Sequence, residues 1–218
     1  YITILQTKLA TEDAPTIFDL GNKHDVTVYD EAGHLADLTG QPCLELIDSD
    51  LLKEGIINGA QKGVPIEISG YGVFYNKDVF AENDLKEPST LTELINVCET
   101  LLSNGIQPFA TPFAETWAFR YYPRVITDIS CLKADNNWNA DKMSGASNFS
   151  DDEVFKNSIE TYFSFKKYWG DDPWGTSWDD TQSMVANGEA AMCIHGSWAV
   201  DGFISHNPDV NVGGFPMP

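Results

Sequence analysis

Residues that could do chemistry are plentiful in this sequence, but few stand at spacings that chemistry requires. The richest block is Asp171-Asp172-Pro173-Trp174-Gly175-Thr176-Ser177-Trp178-Asp179-Asp180, where carboxylates and tryptophans are mixed as they are around bound sugars. The same block also fits a loop ending in an Asp N-cap. Trp178 and Asp179 are therefore ligand candidates with a structural alternative beside them. A calcium loop needs oxygen ligands at alternate positions closing on a distal Glu, and that spacing is absent.

The histidines His24, His34, His195 and His206 form no i, i+4 pair, and neither HExxH nor GxSxG occurs. His195-Gly196-Ser197 sets a base beside a nucleophile, but neighbours in a strand-to-helix turn point apart. No GxGxxG or Walker motif is present, so no cofactor is expected. Cys43, Cys98, Cys131 and Cys193 are scattered without a CxxC pair, which argues against a zinc site. Cys98 and Cys193 sit in apolar periodic stretches and read as buried thiols, whereas a disulfide involving Cys43 or Cys131 stays open. Carboxylates are abundant enough that a glycosidase pair, such as Glu67 with Glu115, remains the rival to simple binding.

The 218 residues suffice for one large domain or two small lobes. Hydrophobic residues at 42% and charged residues at 21% describe an ordinary globular chain, but the formal charge of -20 is unusual. Such a surface repels phosphate backbones and argues against a nucleic-acid partner. It favours neutral or cationic ligands over anionic ones. No apolar run approaches the roughly 20 residues of a membrane helix. The sequence opens on Tyr1-Ile2-Thr3 without an initiator Met and ends abruptly on Phe215-Pro216-Met217-Pro218, so a fragment is expected.

The elements that must position these residues alternate between strand and helix. Thr16 to Leu20 reads as a short buried strand, with Gly21-Asn22 as its exit turn. His24 to Leu38 carries helical spacing with an early glycine. Gly63 to Ser69 is extended, and Tyr71 to Tyr75 continues it with Val73 and Tyr75 on one face and Phe74 on the other. Thr90 and Glu93 form a capping box that opens a helix ended by Asn104-Gly105. Gln107 to Pro112 is extended, and Lys133 to Ser150 is a long polar surface coil. Asp151 to Tyr168 is an amphipathic helix with Val154, Phe155, Ile159, Tyr162, Phe163 and Phe165 inward. Thr181 to Asn187 is a helix, Ala190 to His195 a strand, Ser197 to His206 a helix and Val210 to Phe215 a strand. This pattern is α/β with parallel strands.

Three of these segments resemble, in order, the motifs of family 1 extracellular solute-binding proteins, the maltose-binding-protein-like components of ABC importers. Gly63-Val64-Pro65 through Phe74-Tyr75-Asn76-Lys77-Asp78-Val79-Phe80 is similar to the family's hinge-crossing strand. Asp84 through Pro88-Ser89-Thr90-Leu91-Thr92-Glu93-Leu94 follows its "G-L-x-x-P-x-T-W-x-E-L", with Asp84 and Leu91 replacing the usual Gly and Trp. Met184 through Gly188-Glu189-Ala190-Ala191-Met192 to Gly196-Ser197-Trp198 resembles "F-x-x-G-x-A-A-M-x-x-x-G-x-W". Pro15 to Asp19, Gly33 to Leu38 and Val210 to Pro218 add weaker matches.

The resemblance implies a two-lobed fold of the periplasmic-binding-protein type II kind, incomplete here. Residues 1–68 would be part of the N-terminal lobe, 69–214 most of the C-terminal lobe, and 215–218 the start of the return to the hinge. It implies a protein that is not an enzyme, binding a sugar or oligosaccharide outside the cytoplasm and delivering it to an ABC transporter permease. The protein would be a monomer in the periplasm or at the cell surface, held to the membrane only by an N-terminal lipid that this chain lacks. Trp198 falls on the family's stacking tryptophan. Glu67, Ser69 and Tyr71 lie where the strand crosses between lobes, Asp19 and Asn22 where a polar ligand group is common, and Glu115 and Trp117 on a loop that reaches the sugar. A polyol, a glycerol phosphate or a polyamine is the other class of solute, with the negative charge against the phosphate.

Overall fold

The computed structural model describes residues 1–11 and 13–218. The chain forms two compact units, Tyr1–Ile68 and Ser69–Pro218.

The first unit contains α1 (Ile2–Leu9), α2 (Lys23–Glu31), a 3-10 turn at Pro42–Leu46, the short α3 (Ser49–Leu52), a 3-10 turn at Lys53–Gly55, and the hairpin of β1 (Ile56–Ile57) with β2 (Ala60–Gln61). Asn58 and Gly59 both take positive φ at the hairpin turn, the conformation Asn-Gly supplies with least strain. The strand expected at Thr16–Leu20 is not formed, and Ile17 is 90% exposed. The Tyr1 hydroxyl takes the place of a ladder there, donating to the Asp19 carbonyl at 3.0 Å and accepting from the Asp19 amide at 2.8 Å. The helix expected over His24–Leu38 ends at Glu31. Gly33 is left-handed, and the His34 amide reaches back to the Tyr29 carbonyl, so a Schellman turn stops the helix.

The second unit runs β3 (Tyr71–Asn76), α4 (Lys77–Glu82), α5 (Leu91–Ser103), β4 (Gln107–Phe109), α6 (Thr116–Phe119), α7 (Tyr121–Ala134), α8 (Trp138–Ser144) and α9 (Glu153–Ser164). A 3-10 turn at Phe165–Tyr168 follows, then α10 (Trp178–Ala186), β5 (Ala190–Gly196), α11 (Ala199–His206) and β6 (Val212–Phe215). The sheet order is β4-β5-β3-β6. The β4/β5 pair is parallel, while β3 is antiparallel to both β5 and β6. The α/β class is as expected, but uniform parallelism is not: β4, β5 and β6 share one direction and β3 alone opposes them. Apolar patterning specifies a strand's faces but not its direction, so the sequence held no sign of this.

Val73 and Tyr75 pack with Met192, Ile194, Phe215 and the apolar stripe of α5. Phe74 packs with Cys193, Val185 and Phe203 of the opposite cluster. The Thr90–Glu93 capping box is present, and Gly105 is left-handed behind α5. Cys98, Cys131 and Cys193 are buried, Cys43 is exposed, and all four are free thiols, so the disulfide left open for Cys43 or Cys131 is not made.

The coil expected over Lys133–Ser150 is interrupted by helix. Helix α7 runs to Ala134, and α8 fills much of the rest. Pro123 sits in the first turn of α7, where a missing N–H costs nothing. What orders α8 lies outside it: Asp152 accepts from Trp138 Nε1 at 2.6 Å and pairs with Lys142 Nζ at 2.8 Å. The helix expected over Asp151–Tyr168 breaks into α9 and the 3-10 turn. Tyr162 and Phe165 point inward, while Val154 and Phe163 are exposed. Among the described residues, no helix is long and apolar enough to cross a membrane.

Candidate functional site

Tyr122 anchors the region where the candidates gather. Its buried hydroxyl donates to the Ala110 carbonyl at 2.5 Å and accepts from the Ile194 amide at 3.2 Å, locking α7 to β5 and to the chain leaving β4. This fixes the neighbouring Tyr121. Gly196 ends β5, and the Trp198 indole lies directly over it. The Ser197 amide donates to the Gly70 carbonyl at 2.8 Å, and the Gly70 amide to Ser197 Oγ at 3.3 Å, so the turn carrying Trp198 is tied to the entry of β3 and to Tyr71.

The loop before α10 is zipped to the Phe113–Ala114 backbone through the Pro173 and Thr176 carbonyls. Ser177 and Asp180 close a capping box, so the N-cap is Ser177 and not an Asp, and α10 starts at Trp178 rather than Thr181. Asp172 accepts from the Gly175 amide at 2.9 Å. Two acids of the Asp171–Asp180 block thus stabilise loop and helix start. The Ser177 hydroxyl, above all, holds the Asp180 carboxyl below its ordinary 3.8.

The result is a cluster of rings. Tyr71 stacks on Tyr121 at 4.9 Å between centroids and meets Trp198 edge-on at 5.3 Å. Trp117 meets Tyr121 at 6.2 Å and Trp178 at 6.0 Å. His195 lies beneath them, stacked on Trp178 at 3.8 Å. Tyr71 and Trp117 are 40% and 39% exposed and form the outer rim. Glu115 holds the arrangement from one side. One carboxylate oxygen accepts from Trp117 Nε1 and the other from the Trp178 amide at 2.9 Å. Burial first, then the Tyr121 neighbour, pushes the Tyr71 phenol up to about 12, so it stays a neutral donor.

Arg120 and Arg124 are the only arginines in the sequence, and both stand here. Their guanidinium carbons lie 5.6 Å from the Tyr121 ring and 5.8 Å from the Tyr71 ring. Arg124 Nε also donates to Asp128 at 3.0 Å.

The structure thus brings together Tyr71, Glu115, Trp117, Trp178 and Trp198 among the expected site residues. Ser69 is half-buried two residues before Tyr71. Asp179 is exposed and bound to His206 Nε2 at 3.1 Å, a contact between α10 and α11 that lies outside the ring cluster. Glu67, Asp19 and Asn22 belong to the first unit and are all exposed. Asn22 is the N-cap of α2, accepting from the Asp25 amide at 3.1 Å and donating to its carboxylate at 2.8 Å. Tyr121 and His195 also belong to the cluster, and neither is among the ligand groups the sequence suggests. Tyr121 opens α7, and in the sequence His195 stands out only as a base beside Ser197. The signal for Tyr121 was the run Arg120-Tyr121-Tyr122-Pro123-Arg124, a proline-marked helix start crowded with rings and cations.

The cluster offers apolar faces and a few fixed polar groups, the make-up of small-molecule sites. Comparison with known proteins gives it a family. The model of the bacterial extracellular solute-binding protein family matches residues 1–218. The chain is 26% identical over 224 residues to the multiple sugar-binding protein of Streptococcus mutans, covering 99% of this chain and 52% of that one. It spans about half the length of the curated relatives it matches from end to end. Among solved structures it is similar to the solute-binding protein RafE in complex with raffinose, with a TM-score of 0.83 at 22% identity, over 99% of this chain and 57% of that one. A chitin oligosaccharide binding protein gives a TM-score of 0.79 at 25% identity, over 99% of this chain and 55% of that one. From its first residue to its last, the chain belongs to the bacterial extracellular solute-binding proteins.

Proposed function

We propose that the protein binds a neutral sugar or oligosaccharide outside the cytoplasm and hands it to an ABC transporter permease, making and breaking no bond. The observation that carries this is the rim of Tyr71 and Trp117 over Tyr121, Trp178 and Trp198, because pyranose C–H faces stack on such rings while hydroxyls take the surrounding polar groups. The relatives' described ligands, raffinose and chitin oligosaccharide among them, point the same way. The two arginines at the rim disfavour a polyamine, whose charge they would repel, despite the overall charge of -20. Catalysis by Glu67 and Glu115 has little support. Both Glu115 oxygens are engaged by Trp117 and Trp178, a positioning task rather than that of a free acid or base. On the same reading the protein works as a monomer in the periplasm or as a surface lipoprotein.

Titration calorimetry of the intact protein against raffinose, stachyose, chitotriose and xylotriose tests the proposal, with chromatography of the recovered sugar. Saturable binding with the sugar returned unchanged is expected, and Trp117→Ala should abolish it with little loss of stability. Released monosaccharide, or no binding to any of the four, would overturn it.

A further inference from the structure

The ring cluster contains one group that stacking alone does not explain. His195 is completely buried, and neither Nδ1 nor Nε2 has a hydrogen-bond partner among the described residues. Leaving a buried polar atom unpaired costs about 1–3 kcal/mol, and native chains seldom tolerate it without a use. Four rings surround it, with the Gly196 backbone beside them. Trp178 covers one face at 3.8 Å, and Trp117, Tyr121 and Trp198 stand around it at 5.6, 5.6 and 5.3 Å. The indole N–H of Trp117 is already committed to Glu115.

We propose that His195 is the hydrogen-bonding floor of the aromatic site, one of its ring nitrogens reserved for a hydroxyl group of the bound sugar. The inference rests on the sugar-binding reading and adds its polar determinant. Burial pushes the imidazole down to about 4, so at neutral pH one nitrogen donates and the other accepts. A hydroxyl can do either, and so satisfies whichever nitrogen faces it. A carboxylate or phosphate could only accept, and an ammonium group could only donate. A pyranose also supplies the flat C–H face that the surrounding rings require. Trp117, at 39% exposure, is the covering ring nearest solvent.

A site built around a hydroxyl rejects the analogue that lacks it far more strongly than an apolar pocket rejects a change of shape. The test uses the intact protein and whichever of raffinose, stachyose, chitotriose or xylotriose the wild type binds. His195→Phe removes the unpaired nitrogens while keeping a ring. It should melt at or above the wild-type temperature yet bind the probe about ten- to hundredfold more weakly. His195→Gln, which keeps a donor and an acceptor, should recover part of that loss. In wild-type protein, long-range proton–nitrogen spectra should show one His195 ring nitrogen shifting as the probe saturates.

Wild-type affinity in His195→Phe would overturn the role of His195 while leaving the sugar reading intact, as would ring nitrogens that do not move. Should His195→Phe fail to fold, the nitrogen shift in the wild type decides. Failure of the wild type to bind any probe overturns both readings together.

Discussion

The Trp198 ring rests on Gly196 so closely that a methyl group at Gly196 would lie 2.2 Å from the indole. No side chain other than hydrogen lets the tryptophan fold back over the end of β5. Gly196→Ala must therefore push Trp198 away from Tyr71 and His195. The expected loss is about 1–3 kcal/mol from overpacking, together with weakened carbohydrate binding. Thermal melting and calorimetry on the same variant check both, and an unchanged affinity would show that the position of Trp198 is immaterial.

The Asn76-Lys77-Asp78 run owes its structural role chiefly to Asn76. Buried at 5% exposure, its side chain accepts from the Asp78 and Val79 amides at 3.0 and 3.2 Å and donates to the Val185 carbonyl at 3.0 Å. Asn76→Ala removes an N-cap and leaves the Val185 carbonyl without its partner. We expect a loss of about 2–4 kcal/mol, read from urea unfolding.

His195 also makes stability depend on pH. Its ordinary value is 6.5, and burial lowers it to about 4 in the folded chain. Between those limits the unfolded chain binds the extra proton and the folded chain does not. This contribution is therefore whole above pH 6.5 and is lost as pH falls toward 4, on the order of 3 kcal/mol in all. His195→Phe should flatten the melting temperature across that window. Two helix-cap carboxylates act at lower pH. The Ser177 hydroxyl holds Asp180, and the Ser89 amide holds Glu93, below their ordinary values of 3.8 and 4.5, so what they contribute is lost only in stronger acid.

Thiol labelling should separate the cysteines. Burial pushes Cys98 up to about 12 and Cys193 higher still, and Cys131 is also raised. Only Cys43 is exposed. A disulfide-exchange reagent should react with one thiol in the native protein and with four in denaturant. Two fast native thiols would contradict the burial of Cys131.

Several features were legible in the residues because their causes are local. The Thr90–Glu93 capping box depends on a three-residue spacing within one turn. Strand β3 follows from a short apolar run entered through Gly70, β5 from one between Gly188 and Gly196, and the burial of Cys98 and Cys193 from the apolar stretches around them. The tertiary structure decided the rest. Thr16–Leu20 has strand-like residues but forms no strand among the described residues, and the Tyr1 hydroxyl bonds to Asp19 there. Helix α8 looked like coil because Asp152, which orders Lys142 and Trp138, lies beyond its end. Tyr71, Trp117, Tyr121, Trp178 and His195 meet only because Tyr122 pins α7 to β5 and the α10 loop is zipped to Phe113–Ala114. Sequence spacing records what neighbours do to one another within a turn or a strand. It is silent on which distant rings will share one site, since that depends on packing between elements far apart in the chain.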